Sequence, residues 1–250
     1  MQMKQKPILF SGILALSIFI VSFSLKERVV GDSFVIVELY TSQGCSSCPR
    51  ADKVLEQIAE EYKNKNVIPL GFHVDYWDRL GWKDTFSKQE FSLRQYVYSQ
   101  RFGSSTVYTP QMIVNGVSEF NGGDKSKAFS AINKNLKTKV PVKLDGTLKN
   151  FTRKLSINYT LSSVVFDNYT VNAVLVKNKE KVSIKRGENS NKQIVYHNIV
   201  IDLQTIAANK KGTITFTKPK EYNSENYTVV LFLQENNNGP ISSATKLGHS

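Results

Sequence analysis

Cysteine and histidine are both scarce in this 250-residue chain, which contains two of the first and three of the second. Two cysteines cannot form the framework of several bridges on which small secreted scaffolds depend. Hydrophobic residues make up 40% of the chain and charged residues 22%, which are ordinary proportions for a globular protein. The fold must therefore rest on a packed hydrophobic core.

Long hydrophobic runs are also missing, with one exception at the N-terminus. There, Lys4 and Lys6 precede an apolar run over residues 8–23, and a charged triplet at 26–28 follows it. This layout is typical of a secretory signal, and the run approaches the length of about 17 residues that can span a bilayer. We expect residues 1–25 to be a cleaved signal peptide or a retained membrane anchor, and the protein to be extracytoplasmic, either periplasmic or secreted.

Acidic residues are outnumbered, with 21 Asp and Glu against 33 Lys and Arg, which gives a formal net charge of +12. Such a balance would suit an anionic partner if the basic residues were clustered. The lysines are instead scattered along the chain, and no nucleic-acid motif accompanies them. We interpret the excess as a solvated basic surface and expect no nucleic-acid partner.

The first half of the chain has the pattern of a mixed α/β unit. Apolar runs predict strands, and apolar residues at helical spacing predict helices. Asn115-Gly116 predicts a two-residue hairpin. The predicted order β-α-β-α-β-β-α is that of a thioredoxin fold. The predicted elements are a strand at 34–40, a helix after the cysteines, a strand at 67–74, a helix at 87–102, strands at 110–114 and 117–121, and a helix at 125–136.

From about Val140 the pattern changes to short alternating runs, which predict strands at 142–148, 154–161, 169–177, 194–203, 213–217, 227–234 and 241–245. Seven strands at this spacing predict a sandwich-like, mostly-β arrangement. We therefore expect a thioredoxin-like domain over residues 32–139 and a β-sandwich-like domain over 140–250. The sequence leaves the oligomeric state open.

The two cysteines, Cys45 and Cys48, are the chemistry-bearing motif. Spaced three residues apart at the start of a helix, their sulfurs share one face, and a helix N-terminus favours a thiolate at the first. Cys45 is then the nucleophile and Cys48 the resolving thiol. A purely structural bridge is one alternative, but closing so short a loop stabilises by only about 2 kcal/mol. Metal binding is the other, and it needs further ligands, for which the chain offers His73, His197 and His249.

Three stretches resemble a secreted thioredoxin-like family known as domain of unknown function 1223. They are Glu38–Ala51 (ELYTSQGCSSCPRA), Phe72–Phe86 (FHVDYWDRLGWKDTF) and Val107–Gly116 (VYTPQMIVNG). The likeness continues into Tyr196–Asn198 and Gly239–Ala244. It implies the fold more firmly than an activity, since the family's function is unassigned. Ser-Ser stands between the cysteines where thioredoxin has Gly-Pro, so a redox potential cannot be carried over.

The resemblance to thioredoxins also assigns roles around the cysteines. Glu38 corresponds to an acid in the preceding strand, and a carboxyl buried there would have a raised pKa suited to proton transfer with Cys48; a strand-edge acid facing water is the alternative. Thr109-Pro110 resembles the cis-proline that faces the disulfide, so we expect a cis bond. Its backbone groups would then receive an extended substrate peptide.

Four further residues are secondary candidates. His73 and Asp75 alternate onto one face at the end of the second strand, where they could accept a proton, bind a metal or anchor a loop. Trp77 and Trp82 lie in an insertion that ordinary thioredoxins lack. They are expected either to form an aromatic rim that holds substrate beside Cys45 or to pack the insertion.

The leading functional hypothesis is an exported thiol–disulfide oxidoreductase. It would act on protein or small-molecule thiols and disulfides, with no cofactor besides the Cys45–Cys48 disulfide. The alternative is a binding module in which the same cysteines and His73 hold copper or another metal, or in which the β-domain docks a partner. Thiol reactivity would mark the first and stoichiometric metal retention the second.

Overall fold

A computed structural model describes residues 1–2, 31–163 and 167–248. The predicted signal or anchor segment lies outside these ranges except for its first two residues, and His249 lies outside them too. Among the described residues, no helix has both the length and the apolar character needed to cross a membrane.

The first half contains the predicted strands and helices in the predicted order. Strands β1 and β2 pair in parallel from Val35 opposite Val67 to Thr41 opposite His73, and β3 pairs antiparallel with β1. A hairpin joins β3 to β4. The elements are β1 (Val35–Thr41), α1 (Cys48–Glu61), β2 (Val67–His73), α2 (Gln89–Arg101), β3 (Gln111–Val114), β4 (Ser118–Asn121) and α3 (Lys125–Asn135).

Alternation along β1 decides which residues meet which helix. Val35, Val37 and Leu39 belong to a buried cluster with residues of α1 and α3, because successive strand residues point to opposite faces of the sheet. Ile36 and Tyr40 belong to another cluster that includes residues of α2. The α1 and α2 helices therefore cover opposite faces, and the parity of a β1 residue predicts its neighbours.

The second half supplies all seven predicted strands, and the third and fourth of them extend furthest beyond their predicted lengths. They are β5 (Leu144–Asn150), β6 (Lys154–Leu161), β7 (Tyr169–Ser183), β8 (Gln193–Ala207), β9 (Lys211–Thr217), β10 (Tyr227–Glu235) and β11 (Ile241–Leu247). Strands β7 and β8 form one long antiparallel hairpin, whose last pair is Ser183 with Gln193. We name its connecting turn, residues 184–192, the hairpin tip.

One sheet runs through both halves. Its strand order is β11-β10-β7-β8-β2-β1-β3-β4, and β2 meets β8 in parallel at Gly71 and Ile199. Strands β5, β6 and β9 form a second sheet, whose apolar residues share a buried cluster with β7, β10 and β11. The fold is thus mixed α/β and is dominated by one large sheet. The second sheet packs against the end of the large sheet that holds β7, β10 and β11, where the sequence predicted a sandwich-like arrangement.

The boundary near Val140 stays a prediction, and the core shows where the two halves meet. Phe34 and Ile36 share a buried cluster with Val200, Phe232 and Ile241 from the second half. Burial of apolar surface is the main force that favours folding. Residues on both sides of the predicted boundary therefore stabilise each other.

We expect Ile241→Val to lower the stability of the first half, although Ile241 lies in the last strand. Removing one methylene from this 6% exposed side chain costs about 0.5–1.5 kcal/mol. Both tryptophans of the chain, Trp77 and Trp82, lie in the first half, so their fluorescence during thermal unfolding is the measurement. The matched control is Ile157→Val, because Ile157 is buried where the second sheet packs against β7, β10 and β11. If the halves fold independently, neither change will move the tryptophan transition.

Candidate functional site

Cys45 and Cys48 form a disulfide with their Cα atoms 5.4 Å apart. The α1 helix begins at Cys48 with Pro49 in its first turn, so the helix predicted to follow the cysteines starts at the second of them. Cys45 lies in the preceding turn, where its N–H donates to Ser42 O at 3.2 Å and its carbonyl accepts from Cys48 N at 3.2 Å. We call residues 42–48 the redox turn. Both cysteines are buried.

Thr109 lies next to the sulfur of Cys45, as predicted. The carbonyl oxygen of Thr109 is 3.9 Å from Cys45 Sγ, and Ser47 Oγ is 3.3 Å from the same sulfur. The Thr109–Pro110 peptide bond is cis, which confirms the expected geometry. Trp77 Nε1 donates to Thr109 Oγ1 at 2.8 Å, so this tryptophan fixes the threonine side chain.

Trp82 also contacts the redox turn, by a different route. Its Nε1 donates to Gln43 Oε1 at 2.8 Å, and Gln43 Nε2 donates to Thr85 Oγ1 at 3.0 Å. Both tryptophans are half-buried, and each indole N–H has a partner within the protein. The insertion is therefore bonded to the redox turn and to Thr109, and its tryptophans keep part of their surface open.

His73 and Asp75, the two secondary candidates at the end of β2, have different hydrogen-bond partners. His73 is buried and its Nδ1 lies 2.7 Å from Asp84 Oδ2, which also accepts from Gln43 N at 2.7 Å. Burial lowers the pKa of His73, but the Asp84 carboxylate raises it, and the net shift is upward. Asp75 instead accepts from Ser92 Oγ at 2.5 Å, which makes it an anchor of the loop onto α2.

Glu38 is buried, as one reading of the sequence required, but on the sheet face opposite α1. Arg94 of α2 donates to both of its oxygens, from Nε to Oε2 at 2.8 Å and from Nη2 to Oε1 at 3.0 Å. Tyr98 and Tyr40 donate to it at 2.7 and 3.0 Å. Even-numbered β1 residues face α2, so the carboxylate is held away from Cys48. This placement argues against the predicted proton exchange between Glu38 and Cys48.

Asp52 is the carboxylate that the sequence reading missed. It follows Cys48 by four residues on α1, so the two side chains lie on one helix face, one turn apart. Thr41 Oγ1 donates to Asp52 Oδ1 at 2.9 Å, whereas Oδ2 is buried and has no hydrogen-bond partner among the residues that the structure describes. Burial raises the pKa of Asp52 to about 7. The i, i+4 spacing from Cys48 was the available signal.

The hairpin tip is a second missed part of the site. Asn189 is fully buried, and its Nδ2 donates to the carbonyl oxygens of Gln43 at 3.0 Å and Cys45 at 2.8 Å. Glu188 Oε2 accepts from Ser46 N at 2.9 Å. These contacts join residues more than 140 positions apart in the chain, so no local pattern could have announced them.

Metal ligands are not gathered at this site within the described ranges. Across residues 31–163 and 167–248, no group of three or more His, Cys, Asp and Glu side chains is arranged to hold a metal ion. His197, the other described histidine, lies on β8 with its Nε2 3.7 Å from Glu56 Oε1. The residues that surround the cysteines supply proton-exchanging and hydrogen-bonding groups instead.

Comparison with known proteins gives a family and a fold. A model of the family described as "Protein of unknown function (DUF1223)" matches residues 36–234. The crystal structure of a protein from Agrobacterium tumefaciens is similar at 26% identity, with a TM-score of 0.66 over 88% of this chain and 96% of that one. No curated protein matches the chain.

Two more distant solved structures align with 43% of this chain. A domain of the outer membrane lipoprotein Omp28 from Porphyromonas gingivalis has 10% identity, a TM-score of 0.27 and 86% of its own length covered. A hypothetical protein from Pyrococcus horikoshii has 6% identity, a TM-score of 0.23 and 87% covered. Likeness at this level carries no argument about the site.

Proposed function

We propose that this chain, which belongs to the DUF1223 family, is an exported thiol–disulfide oxidoreductase that acts through Cys45 and Cys48. The observation that carries the proposal is the Cys45–Cys48 disulfide together with Asp52, which lies one helical turn after Cys48 on α1. Asp52 is a buried carboxyl whose pKa is raised to about 7. A thiol pair beside a group that exchanges protons near neutral pH has the parts that disulfide exchange needs.

The order of elements supports a thioredoxin-like unit at the centre of this function. Strands β2-β1-β3-β4 lie side by side, with β1 and β2 parallel and helices on both faces. The cysteines follow the carboxyl end of β1, which is where sites in sheets with parallel strands gather. Export rests on the apolar N-terminal pattern alone.

The exchange consists of two displacements at sulfur. In the reducing direction, the Cys45 thiolate attacks a substrate disulfide, a Cys45–substrate bond forms, and the leaving substrate thiolate takes a proton. The Cys48 thiolate then attacks Cys45 Sγ, the Cys45–Cys48 disulfide forms, and the second substrate thiol is released. Two electrons pass from the protein to the substrate, and the reverse sequence oxidises a dithiol.

Asp52 takes the role first assigned to Glu38. Cys48 must lose its proton before it attacks, and Asp52 is the carboxylate on the same face of α1. A base with a pKa near the working pH is the most effective acceptor. Thr41 orients one oxygen of the carboxylate, and the other is left to accept from Cys48.

Substrate contacts fall to Thr109 and the insertion. Thr109 O lies beside the reactive sulfur and can accept from an N–H of an extended peptide, in the manner of strand addition. Trp77 fixes the Thr109 hydroxyl and leaves part of its ring open to a substrate. Trp82 supports the redox turn through Gln43.

We expect Asp52→Asn to slow the resolving step about a hundredfold while making the folded protein more stable at pH 8. The native pKa of about 7 lies above the ordinary value of 3.8, so between these values the native state holds a proton that the unfolded chain has released. The stabilisation from this group is complete below about pH 4 and is lost as the pH rises to about 7. Asparagine does not ionise, so the variant avoids that loss, and its free energy of unfolding at pH 8 should be about 1–4 kcal/mol higher than that of the wild type.

The rate at which a Cys45–peptide mixed disulfide decays, followed against pH, measures the resolving step. Urea unfolding at pH 4 and pH 8 measures the stability. The wild-type decay rate should rise through pH 7, and the Asn variant should lack this step. Asp124→Asn, at the half-buried N-cap of α3, is the control. An Asp52→Asn protein that keeps the wild-type profile would remove Asp52 from the mechanism.

Equilibration with glutathione tests the function itself. The reduced protein should exchange disulfides with glutathione, and alkylation below neutral pH should modify Cys45 before Cys48. Equal alkylation rates with no exchange would overturn the proposal, and stoichiometric retention of copper by the reduced protein would then favour the metal-binding alternative.

A further inference from the structure

We propose that the hairpin tip is part of the redox site, with Asn189 as a positioning residue for Cys45 and Glu188 as a charge that restrains its reactivity. This inference rests on the proposed function and extends it, because it gives the second half of the chain a role in the chemistry.

The tip is built to present Asn189. The Ile184 N–H donates to Lys192 O at 2.9 Å, the Asn191 N–H donates to Ile184 O at 2.8 Å, and the Ser190 N–H donates to Gly187 O at 3.1 Å. Lys192 Nζ donates to Asn189 Oδ1 at 2.8 Å, which orients the amide so that its nitrogen faces the redox turn. The hydrogen bonds of the tip therefore hold the buried amide of Asn189 in place, with its two N–H donors directed at the redox turn.

Both donors are used on the redox turn. The acceptors are the carbonyl oxygens of Gln43, two residues before the nucleophile, and of Cys45, the nucleophile itself. An amide that bonds both carbonyls fixes the backbone that carries the sulfur. It also brings the positive end of the N–H dipoles close to Cys45, where a thiolate forms on reduction.

Glu188 has the opposite electrostatic effect. Its exposed carboxylate accepts from Ser46 N, the backbone donor directly after Cys45. This bond lowers the pKa of Glu188, so the group is negative at neutral pH. A negative charge here opposes a thiolate at Cys45 and occupies a donor that would otherwise stabilise it. Asn189 should therefore lower the pKa of the Cys45 thiol, and Glu188 should raise it.

Other charged groups around the redox turn set the background for these shifts. Asp52 lies on α1, Asp84 accepts from Gln43 N, and Lys192 lies in the tip itself. The cis-proline segment contributes Thr109, which is uncharged. Substitutions confined to the tip leave Asp52 and Asp84 in place, so differences between variants report the tip alone.

The test uses the full chain and two equilibrium readouts that do not depend on access to the sulfur. The pKa of Cys45 is read from thiolate ultraviolet absorbance in a Cys48→Ser background, and the equilibrium with glutathione is read in chains with both cysteines. We expect Asn189→Ala to raise the pKa of Cys45 and favour the disulfide, with the glutathione equilibrium shifted about threefold, and Glu188→Gln to do the reverse. Asn189→Asp keeps the shape, loses the donors and adds a negative charge, so it should raise the pKa of Cys45 at least as far as Asn189→Ala.

Ser190→Ala is the matched control, since Ser190 lies in the same tip and its hydroxyl donates to Lys185 O at 3.1 Å, away from the redox turn. Opposite shifts for Asn189 and Glu188, with none for Ser190, support the inference. Unchanged pKa and equilibrium in folded Asn189 and Glu188 variants overturn it, even if their melting temperatures fall. Failure of wild-type protein to exchange with glutathione would overturn the proposed function, whereas the pKa readout would still decide the role of the tip.

Discussion

Replacing Cys48 with serine should convert the protein into a trap that holds its substrates as mixed disulfides on Cys45. The first displacement needs only the Cys45 thiolate, whereas release needs a second thiol that attacks Cys45 Sγ. Cys48 lies at the start of α1 with its Cα 5.4 Å from that of Cys45. Serine leaves the first step intact and removes the second, so turnover should be lost while mixed disulfides accumulate.

Non-reducing electrophoresis of cells that produce the variant, followed by mass spectrometry of the cross-linked species, measures this trapping. Cys45→Ser is the matched control, because it keeps one thiol but only at the resolving position. It should trap far less than Cys48→Ser. A purely structural bridge makes a different prediction: both variants would lose about 2 kcal/mol of stability and neither would trap a partner.

The elements of the fold could be predicted where side chains alternate or recur at helical spacing. β1 was predicted from its apolar run, and the seven later strands from short alternating runs. β7 was predicted to end at Lys177 but continues to Ser183, because its last residues are polar and pair with β8 through the backbone. Backbone pairing that buries few side chains leaves little trace in a sequence.

The site was predictable only as far as local spacing reaches. Cys45 and Cys48 were identified from their separation along the chain, and Thr109 and Pro110 from a motif. The contacts of Asn189 with the redox turn depend on how the second half docks on the first, which no local pattern encodes. The partners of Glu38 were not predicted, because burial alone does not say which face of the sheet a strand residue occupies.

Glu38 and Arg94 are the core of a buried polar network that joins the two halves. Arg94 Nη2 donates to Gln234 Oε1 at 2.9 Å and Nη1 donates to Asn238 Oδ1 at 3.1 Å, in addition to the two bonds with Glu38. Gln234 Nε2 in turn donates to Tyr98 OH at 2.8 Å. The charge of each partner is therefore compensated only while the other remains.

We expect Arg94→Ala to destabilise the fold by about 3–5 kcal/mol, because it leaves the Glu38 carboxylate buried without its counter-charge. Urea unfolding measures this loss, and Arg101→Ala, an exposed position in the last turn of the same helix, should change stability by less than about 0.5 kcal/mol. Glu38→Gln should also destabilise, since it leaves the guanidinium unpaired.

The same variants separate Glu38 from Asp52 in the redox mechanism. Glu38 lies on the α2 face and Asp52 on the α1 face beside Cys48, so Glu38→Gln should lower stability while the folded protein resolves mixed disulfides at the wild-type rate. Asp52→Asn should show the opposite combination, with slower resolution and higher stability at pH 8. If Glu38→Gln slowed resolution at temperatures where the protein is fully folded, the carboxylate would act across the sheet and the assignment to Asp52 would fail.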